Sequence, residues 1–129
     1  MRDLLFKLCS AIATAEGWWD PNPNARPKRN NNPGNLTASP LERPKDPRFV
    51  KFLTPQEGIA ALYNQVARHI LRGYTLRQLI TAWAPPHEND TENYVRETAR
   101  RIGLELKPND KGVPDTEPLY NYLIIERLP

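Results

Sequence analysis

The placement of proline limits the fold of this chain more than any other feature of its sequence. Of the 14 prolines, seven lie between residues 21 and 47, and a second group lies in 108–118. Proline lacks an amide hydrogen and its ring clashes with the preceding helical turn, so a long helix cannot cross residues 17–53. Phe49–Phe52 alternates apolar and polar residues and predicts a short strand there, with a small hairpin to residues near 36–39.

The segments outside this region have the apolar spacing and the capping residues of amphipathic helices. The predicted helices cover 3–16, with Leu4, Leu5, Leu8, Ile12 and Ala15 on one face; 55 to about 71, with Ile59, Leu62, Val66 and Ile70 buried; 75 to 84; 91–102; and 116 to 128. The last could instead be a strand at 123–125. We therefore predict one mainly α domain over residues 1–129, α+β at most.

The basic residues are concentrated in one segment. The net charge is +3, but between Arg26 and Lys51 there are seven Lys or Arg residues and only two acids, Glu42 and Asp46. Such a segment could bind an anionic polymer, whether cell wall, nucleic acid or a lipid surface, but a lone basic patch is more often simply solvated.

Other features exclude several classes of protein. Cys9 is the single cysteine, so no intrachain disulfide is possible, and its helical position predicts burial. Two histidines and one cysteine do not make a zinc set, and no metal or cofactor is expected. No apolar run is long enough to span a membrane. The first 15 residues superficially resemble a signal peptide, but Asp3 and Lys7 interrupt them, so we expect no signal.

Glu16 is the side chain most suited to acid–base chemistry. It ends the first predicted helix, and Gly17, Trp18 and Trp19 follow it. The negative end of a helix dipole and desolvation by indole rings both disfavour a charged carboxylate, so we expect a raised pKa for Glu16. A carboxyl group that keeps its proton near neutral pH can act as a general acid.

An asparagine-rich turn follows in the proline-rich region. Asn30–Leu36 combines asparagine, proline and glycine, which is typical of tight turns. Asparagine amides also suit the recognition of sugar hydroxyls and N-acetyl groups, since each amide carries donors and an acceptor. A plain structural turn is the alternative, and the run alone favours it.

Four segments in this order resemble the lysozyme-like superfamily, and most closely the small lytic transglycosylase-type domains of phage and bacterial proteins. The segments are Ala15–Trp18, Arg29–Leu36, Phe52–Leu62 and Trp83–Tyr94. The resemblance implies a two-lobed helical fold whose cleft binds peptidoglycan glycan strands, with Glu16 as the catalytic residue.

The resemblance also implies roles for other residues. The turn that contains Asn32 and Asn35 would line the substrate groove, and the loop from Trp83 to Tyr94 would lie over the cleft. Because Trp83 stands where a tyrosine is expected, Tyr94 is the better candidate for a phenol near the acid. Trp18, Trp19 and Trp83 could stack on sugar rings, although core packing is the more common role of an aromatic side chain.

A second catalytic carboxylate is harder to assign. Glycoside hydrolases usually place one roughly 5–9.5 Å from the acid. Asp20 is nearest in sequence, while Glu88 and Asp90 are alternatives from the distant loop, and Asp90 also suits a helix cap. The absence of a convincing partner is consistent with a lytic transglycosylase, in which one carboxyl group acts as acid and then as base. Glu57 is assigned to a helix cap.

Two other functions remain open. The chain could be an inactive peptidoglycan-binding or structural module, for instance of a virion or a secretion machine. It could also bind nucleic acid through the basic loop and the helices at 55–83, but only Arg77 and Gln78 could read bases there, so no nucleic acid is expected. We expect a monomer that reaches the wall after release, through a secretion system, or as a phage component.

Overall fold

The computed structural model describes residues 2–85 and 90–127, and these residues are mainly α-helical, as predicted. The helices are α1 (Arg2–Glu16), α2 (Arg26–Arg29), α3 (Pro55–Leu71), α4 (Leu76–Trp83), α5 (Thr91–Ile102) and α6 (Leu119–Arg127). The strands form two antiparallel pairs, β1 (Lys45–Asp46) with β2 (Phe49–Val50) and β3 (Lys107–Pro108) with β4 (Pro114–Asp115).

The chain divides into two compact units. One, here called the proline-rich unit, comprises residues 9–65, and the other, the helical unit, comprises residues 1–8 and 66–129. Each has its own buried apolar side chains. Those of the proline-rich unit include Ile12, Val50, Phe52 and Leu62, and those of the helical unit include Leu76, Leu79, Ile80, Val95 and Leu119. The single domain over 1–129 stays a prediction.

The predicted helix ends are confirmed where local capping sets them. Helix α1 ends in a Schellman arrangement, with Gly17 at φ +93° and the Trp18 amide donating to the Ala13 carbonyl at 2.9 Å. Helix α3 runs from Pro55 to Leu71 as predicted, and the Thr54 hydroxyl accepts from the Glu57 amide at 3.1 Å.

Local caps also set the ends of helices α4 and α5 in the helical unit. Thr75 and Gln78 form a reciprocal capping box at the start of α4. The Asp90 carboxylate accepts from the Asn93 amide at 3.1 Å, and α5 ends at Gly103, whose φ is +75°. These caps explain why the bounds of both helices agree with the sequence-based prediction.

One cap comes from far along the chain. The buried Asp115 accepts from the Thr75 hydroxyl at 2.7 Å and from the Arg77 amide at 3.0 Å. Arg77 in turn donates to both carboxylate oxygens of Glu92. The β3–β4 hairpin, which contains the prolines at 108 and 114, thus fixes the start of α4.

Several predictions were wrong in detail. The partner of β2 is Lys45–Asp46 and not residues 36–39, although the Val50 amide donates to the Leu36 carbonyl at 2.9 Å. The exclusion of a long helix from residues 17–53 is confirmed, because the helix in this region, α2, has four residues and Pro27 lies in its first turn, where no amide donor is needed. Helix α6 begins at Leu119, and residues 123–125 are helical; residue 128 lies outside the described residues.

Two residues at the ends of the predicted apolar faces are exposed and not buried. Ala15 is exposed at the last turn of α1, and Ile59 is 39% exposed near the start of α3. Periodicity identifies the face of a helix, but which turns of that face are covered depends on the packing of distant segments.

A close backbone contact seats the asparagine turn on α3. Gly58 is buried, and a Cβ atom at this position would overlap the carbonyl oxygen of Asn31. Glycine therefore permits this approach, in a helix interior where it is otherwise unfavourable. The Phe52 amide donates to the Asn30 carbonyl at 2.9 Å, and the Asn31 side chain donates to the Phe52 carbonyl at 3.0 Å, so the turn is held on a second side.

Gly58→Ala is expected to lower the free energy of unfolding. The gain in helix propensity is about 1 kcal/mol, whereas forcing the turn off the helix should cost more, for a net loss of about 1–3 kcal/mol. Chemical denaturation measures the effect, and Asn64→Ala, an exposed site on the same helix, is the control that should be neutral or slightly stabilising. A Gly58→Ala protein as stable as the parent would contradict the close contact.

Cys9 is expected to be unreactive in the folded protein. Burial raises the pKa of its thiol to about 12, so the nucleophilic thiolate is scarce at neutral pH and the sulfur is out of reach. An aromatic disulfide reagent should label the chain at neutral pH only after denaturant is added. Rapid labelling without denaturant would show that α1 opens locally.

Candidate functional site

Glu16 and Asn35 lie in direct contact in the proline-rich unit. Glu16 is the last residue of α1 and is half-buried. The Asn35 amide nitrogen donates to the Glu16 Oε1 atom at 3.0 Å and lies 3.4 Å from the Glu16 main-chain oxygen. An amide donor both orients a carboxylate and stabilises its charged form. The sequence singled out both residues but gave no sign that they are hydrogen-bonded.

The backbone of the turn places Asn35 there. Its φ is +49°, in the left-handed region that asparagine adopts more easily than most residues. The main-chain amide of Asn35 donates to the main-chain carbonyl of Asn32 at 3.1 Å, which closes the tight turn through Pro33 and Gly34. The side chain of Asn35 is therefore directed at the end of α1 by a constrained backbone.

Asn32 is corrected from a substrate-binding residue to a structural one. It is fully buried, and its side chain donates to the carbonyl oxygens of Leu36 at 3.0 Å and Val50 at 2.9 Å. Its Oδ1 atom accepts from the Leu36 amide at 2.9 Å. With no exposed surface and three internal hydrogen bonds, Asn32 ties the turn to strand β2.

The two tryptophans after α1 differ in exposure. Trp18 is half-buried, whereas Trp19 is 67% exposed. The indole nitrogen of Trp19 donates to the Thr14 hydroxyl at 3.2 Å, which holds the ring near α1 while most of it remains in solvent. Trp19 thus has the exposure that a sugar-stacking residue needs, and stacking by either tryptophan stays a prediction.

Asp20 and Glu57 are two further acids of the proline-rich unit, and the carboxylate of each makes local hydrogen bonds. Asp20 is exposed, and its carboxylate accepts from the Asn22 amide at 2.9 Å in a local turn. Glu57 receives two hydrogen bonds from Arg43, at 2.7 and 3.0 Å, and this pairing lowers its pKa. A carboxylate held ionised by a guanidinium cannot donate a proton, which supports the structural role predicted for Glu57. The catalytic role of Asp20 stays a prediction.

The remaining predicted site residues belong to the helical unit. Trp83 ends α4 and lies edge-on to His69, with ring centroids 6.4 Å apart, while His69 stacks on Tyr74 at 4.8 Å. Burial and then the nearby arginines lower the pKa of His69. Tyr94 is half-buried on α5. The substrate contacts predicted for Trp83 and Asp90 and the catalytic phenol predicted for Tyr94 stay predictions. Glu88 lies outside the described residues.

Two kinds of feature are absent from residues 2–85 and 90–127. No group of three or more His, Cys, Asp or Glu side chains is arranged to hold a metal ion in this part of the chain. Nor is any helix within residues 2–85 and 90–127 both long and apolar enough to cross a membrane.

The sequence is similar to that of a phage protein. Protein P5 of Pseudoalteromonas phage PM2 is 36% identical to it over 111 aligned residues, which cover 72% of this chain and 66% of P5. The chain thus spans just under two thirds of the length of that relative. No protein-family model matches the sequence, and no solved structure gives a significant match.

Asn32→Ala is expected to destabilise the protein strongly. The change leaves the buried carbonyl of Val50 and both main-chain groups of Leu36 without their side-chain partner, at a cost of about 2–4 kcal/mol. Denaturant titration measures the loss, with the exposed Asn24→Ala as a control expected near zero. A neutral Asn32→Ala would argue against the structural role.

Proposed function

We propose that this chain is a peptidoglycan-cleaving glycosidase with a lysozyme-like fold, and specifically a lytic transglycosylase that breaks the β-1,4 bond between MurNAc and GlcNAc. The observation that carries the proposal is the hydrogen bond between Asn35 Nδ2 and Glu16 Oε1 at 3.0 Å. It joins the acid at the end of α1 to the turn that the lysozyme-like resemblance assigns to the substrate groove.

The chemistry needs one carboxyl group in two states. Protonated Glu16 gives its proton to the glycosidic oxygen as the bond from that oxygen to the MurNAc C1 atom breaks. The resulting carboxylate then takes the proton of the MurNAc C6 hydroxyl while its oxygen bonds to C1. Glu16 ends protonated again, and the products are a new GlcNAc hydroxyl end and a 1,6-anhydro-MurNAc end.

The side chain of Asn35 can hydrogen-bond to both the ionised and the protonated form of Glu16. As placed, its amide nitrogen donates to the carboxylate. Its Oδ1 atom is buried and has no hydrogen-bond partner among the described residues. A flipped amide would turn that oxygen toward Glu16, where it can accept the proton of the carboxylic acid. Asn35 is thus proposed as a positioning residue that serves the acid and the base form.

Other features are consistent with this assignment. Glu57 is occupied by Arg43 and Asp20 by a turn, which leaves Glu16 as the acid on which the chemistry depends. The exposed ring of Trp19 offers an apolar platform for a sugar. The relative in a phage supports a viral setting, in which such an enzyme would meet the host wall at entry or release.

Glu16→Gln is expected to reduce the release of soluble fragments from a peptidoglycan suspension about 10²- to 10⁴-fold, the usual contribution of a general acid. The matched control is Glu42→Gln, an exposed acid in the same unit, which should retain activity. Thermal unfolding of both variants checks that the fold is kept. Full lysis by Glu16→Gln would overturn the proposal.

The fragments themselves distinguish the mechanisms. Mass spectrometry should find 1,6-anhydro ends for a transglycosylase. Reducing ends would identify a hydrolase, and binding to the wall without any fragments would identify an inactive module.

Asn35→Asp is expected to lower kcat much more than it alters KM. Aspartate tolerates the positive φ of this position, so the turn should persist, but the donor to Glu16 is replaced by a second negative charge. That charge disfavours ionisation of Glu16 and should move the alkaline limb of the pH–rate profile to higher pH. An unchanged pH profile in an active variant would contradict the contact with Glu16.

A further inference from the structure

The exposed ring of Trp19 is fastened to one side of α1 by a chain of two hydrogen bonds. Its indole nitrogen donates to the Thr14 hydroxyl at 3.2 Å, and that hydroxyl donates to the Ser10 carbonyl at 2.8 Å. Even so, Trp19 is 67% exposed. The ring is therefore held at one edge while most of its surface meets solvent.

The geometry of α1 separates this ring from the Glu16 carboxylate. Side chains turn by about 100° per residue around an α-helix, so residues two apart point about 160° away from each other. Glu16 follows the fully buried Ile12 by four residues and lies on its side of the helix. Thr14 lies instead on the side of Ser10, to which it is bonded. Trp19 is thus held on a different side of α1 from the proposed catalytic acid.

The backbone after α1 also limits where Trp19 can lie. Gly17 has a φ of +93°, and the Asp20 amide donates to the Gly17 carbonyl at 3.1 Å, so residues 17–20 form a closed turn. A tryptophan side chain has only two rotatable torsions, and here both the turn and Thr14 restrict them. A ligand that stacks on such a ring immobilises little that is not already fixed.

Polar side chains follow the ring along the chain. Asp20, Asn22 and Asn24 are exposed. The Asn22 amide donates to Asp20 Oδ1 and the Asn24 amide to Asn22 Oδ1, both at 2.9 Å, so this segment has a defined local structure. An aromatic face with carboxylate and amide groups beside it matches a pyranose, which has an apolar C–H face and hydroxyl groups around its edge.

We propose that Trp19, positioned by Thr14, is a second glycan-binding site, separate from the reaction at Glu16, that holds the chain on insoluble peptidoglycan. The inference rests on the proposed function for the nature of the polymer, and it adds a site that takes no part in bond cleavage. A sugar ring stacks on the indole face that the Thr14 bond keeps open to solvent. Because a long polymer can occupy both sites, binding at Trp19 raises the concentration of glycan near Glu16.

Sedimentation with insoluble peptidoglycan measures this site without turnover. In the full chain carrying Glu16→Gln, Trp19→Ala should weaken binding to the wall about tenfold, because an aromatic stacking contact is lost. The matched control is Leu53→Ala, since Leu53 is an apolar residue of the same unit that is also 67% exposed. Unchanged binding by the Trp19→Ala chain, or an equal loss with Leu53→Ala, would overturn the proposal.

Short soluble glycan fragments separate the second site from the reaction centre. With Glu16 intact, Trp19→Ala should slow the release of fragments from the insoluble wall but leave kcat/KM for short soluble glycans unchanged, because a short glycan gains nothing from a second site. An equal loss on soluble and insoluble substrates would place Trp19 at the reaction centre and overturn the assignment.

A double-mutant cycle tests the positioning role of Thr14. Thr14→Val removes the hydroxyl at nearly constant shape and should weaken wall binding about threefold, as expected for one neutral hydrogen bond, whereas Thr14→Ser should retain it. In a Trp19→Phe background, which has no N–H donor, Thr14→Val should have no further effect. Additive effects of the two changes would overturn the positioning role, and thermal unfolding checks that each variant is folded.

These results are distinguishable from those of the catalytic proposal. If Glu16→Gln still lyses the wall while wall binding depends on Trp19, only the catalytic role of Glu16 fails. If Glu16→Gln abolishes lysis while Trp19→Ala binds the wall like the parent, only the second site fails.

Discussion

The candidate site depends on the close approach of the Asn31 carbonyl to Gly58 of α3. That contact seats the asparagine turn on a helix, and the bonds from Asn32 to Val50 and Leu36 lock its other side. A turn held this firmly can keep Asn35 at a positive φ, a conformation that costs free energy in a free chain. The Asn35–Glu16 hydrogen bond is the result.

The charged side chains of the proline-rich unit have different kinds of partner. Arg43 holds Glu57 and Arg29 holds Asp46, so these carboxylates stabilise local structure and remain ionised. Glu16 accepts a hydrogen bond from the neutral side-chain amide of Asn35, which orients its carboxylate. Arg26 and Arg48 pack on the Phe49 ring.

Predictions made from neighbouring residues agree best with the structure. The bounds of α3 and α5 follow from caps at Thr54 and Asp90 and from Gly103, since each cap involves residues a few positions apart. The partner of strand β2 was missed, because pairing depends on which distant segment covers the same core. Asn32 was misassigned for a similar reason: a polar side chain in a turn gives no sequence signal of complete burial.

The sequence by itself determined that helices flank a proline-rich segment and that Glu16 ends a helix beside two tryptophans, because helix caps and proline geometry act locally. Only the tertiary structure decided that Asn35 donates to Glu16 and that Arg26 lies on Phe49. Those contacts join residues 19 and 23 positions apart, and they form only after the turn, the hairpin and α3 have packed together. Composition and periodicity carry no information about such distances.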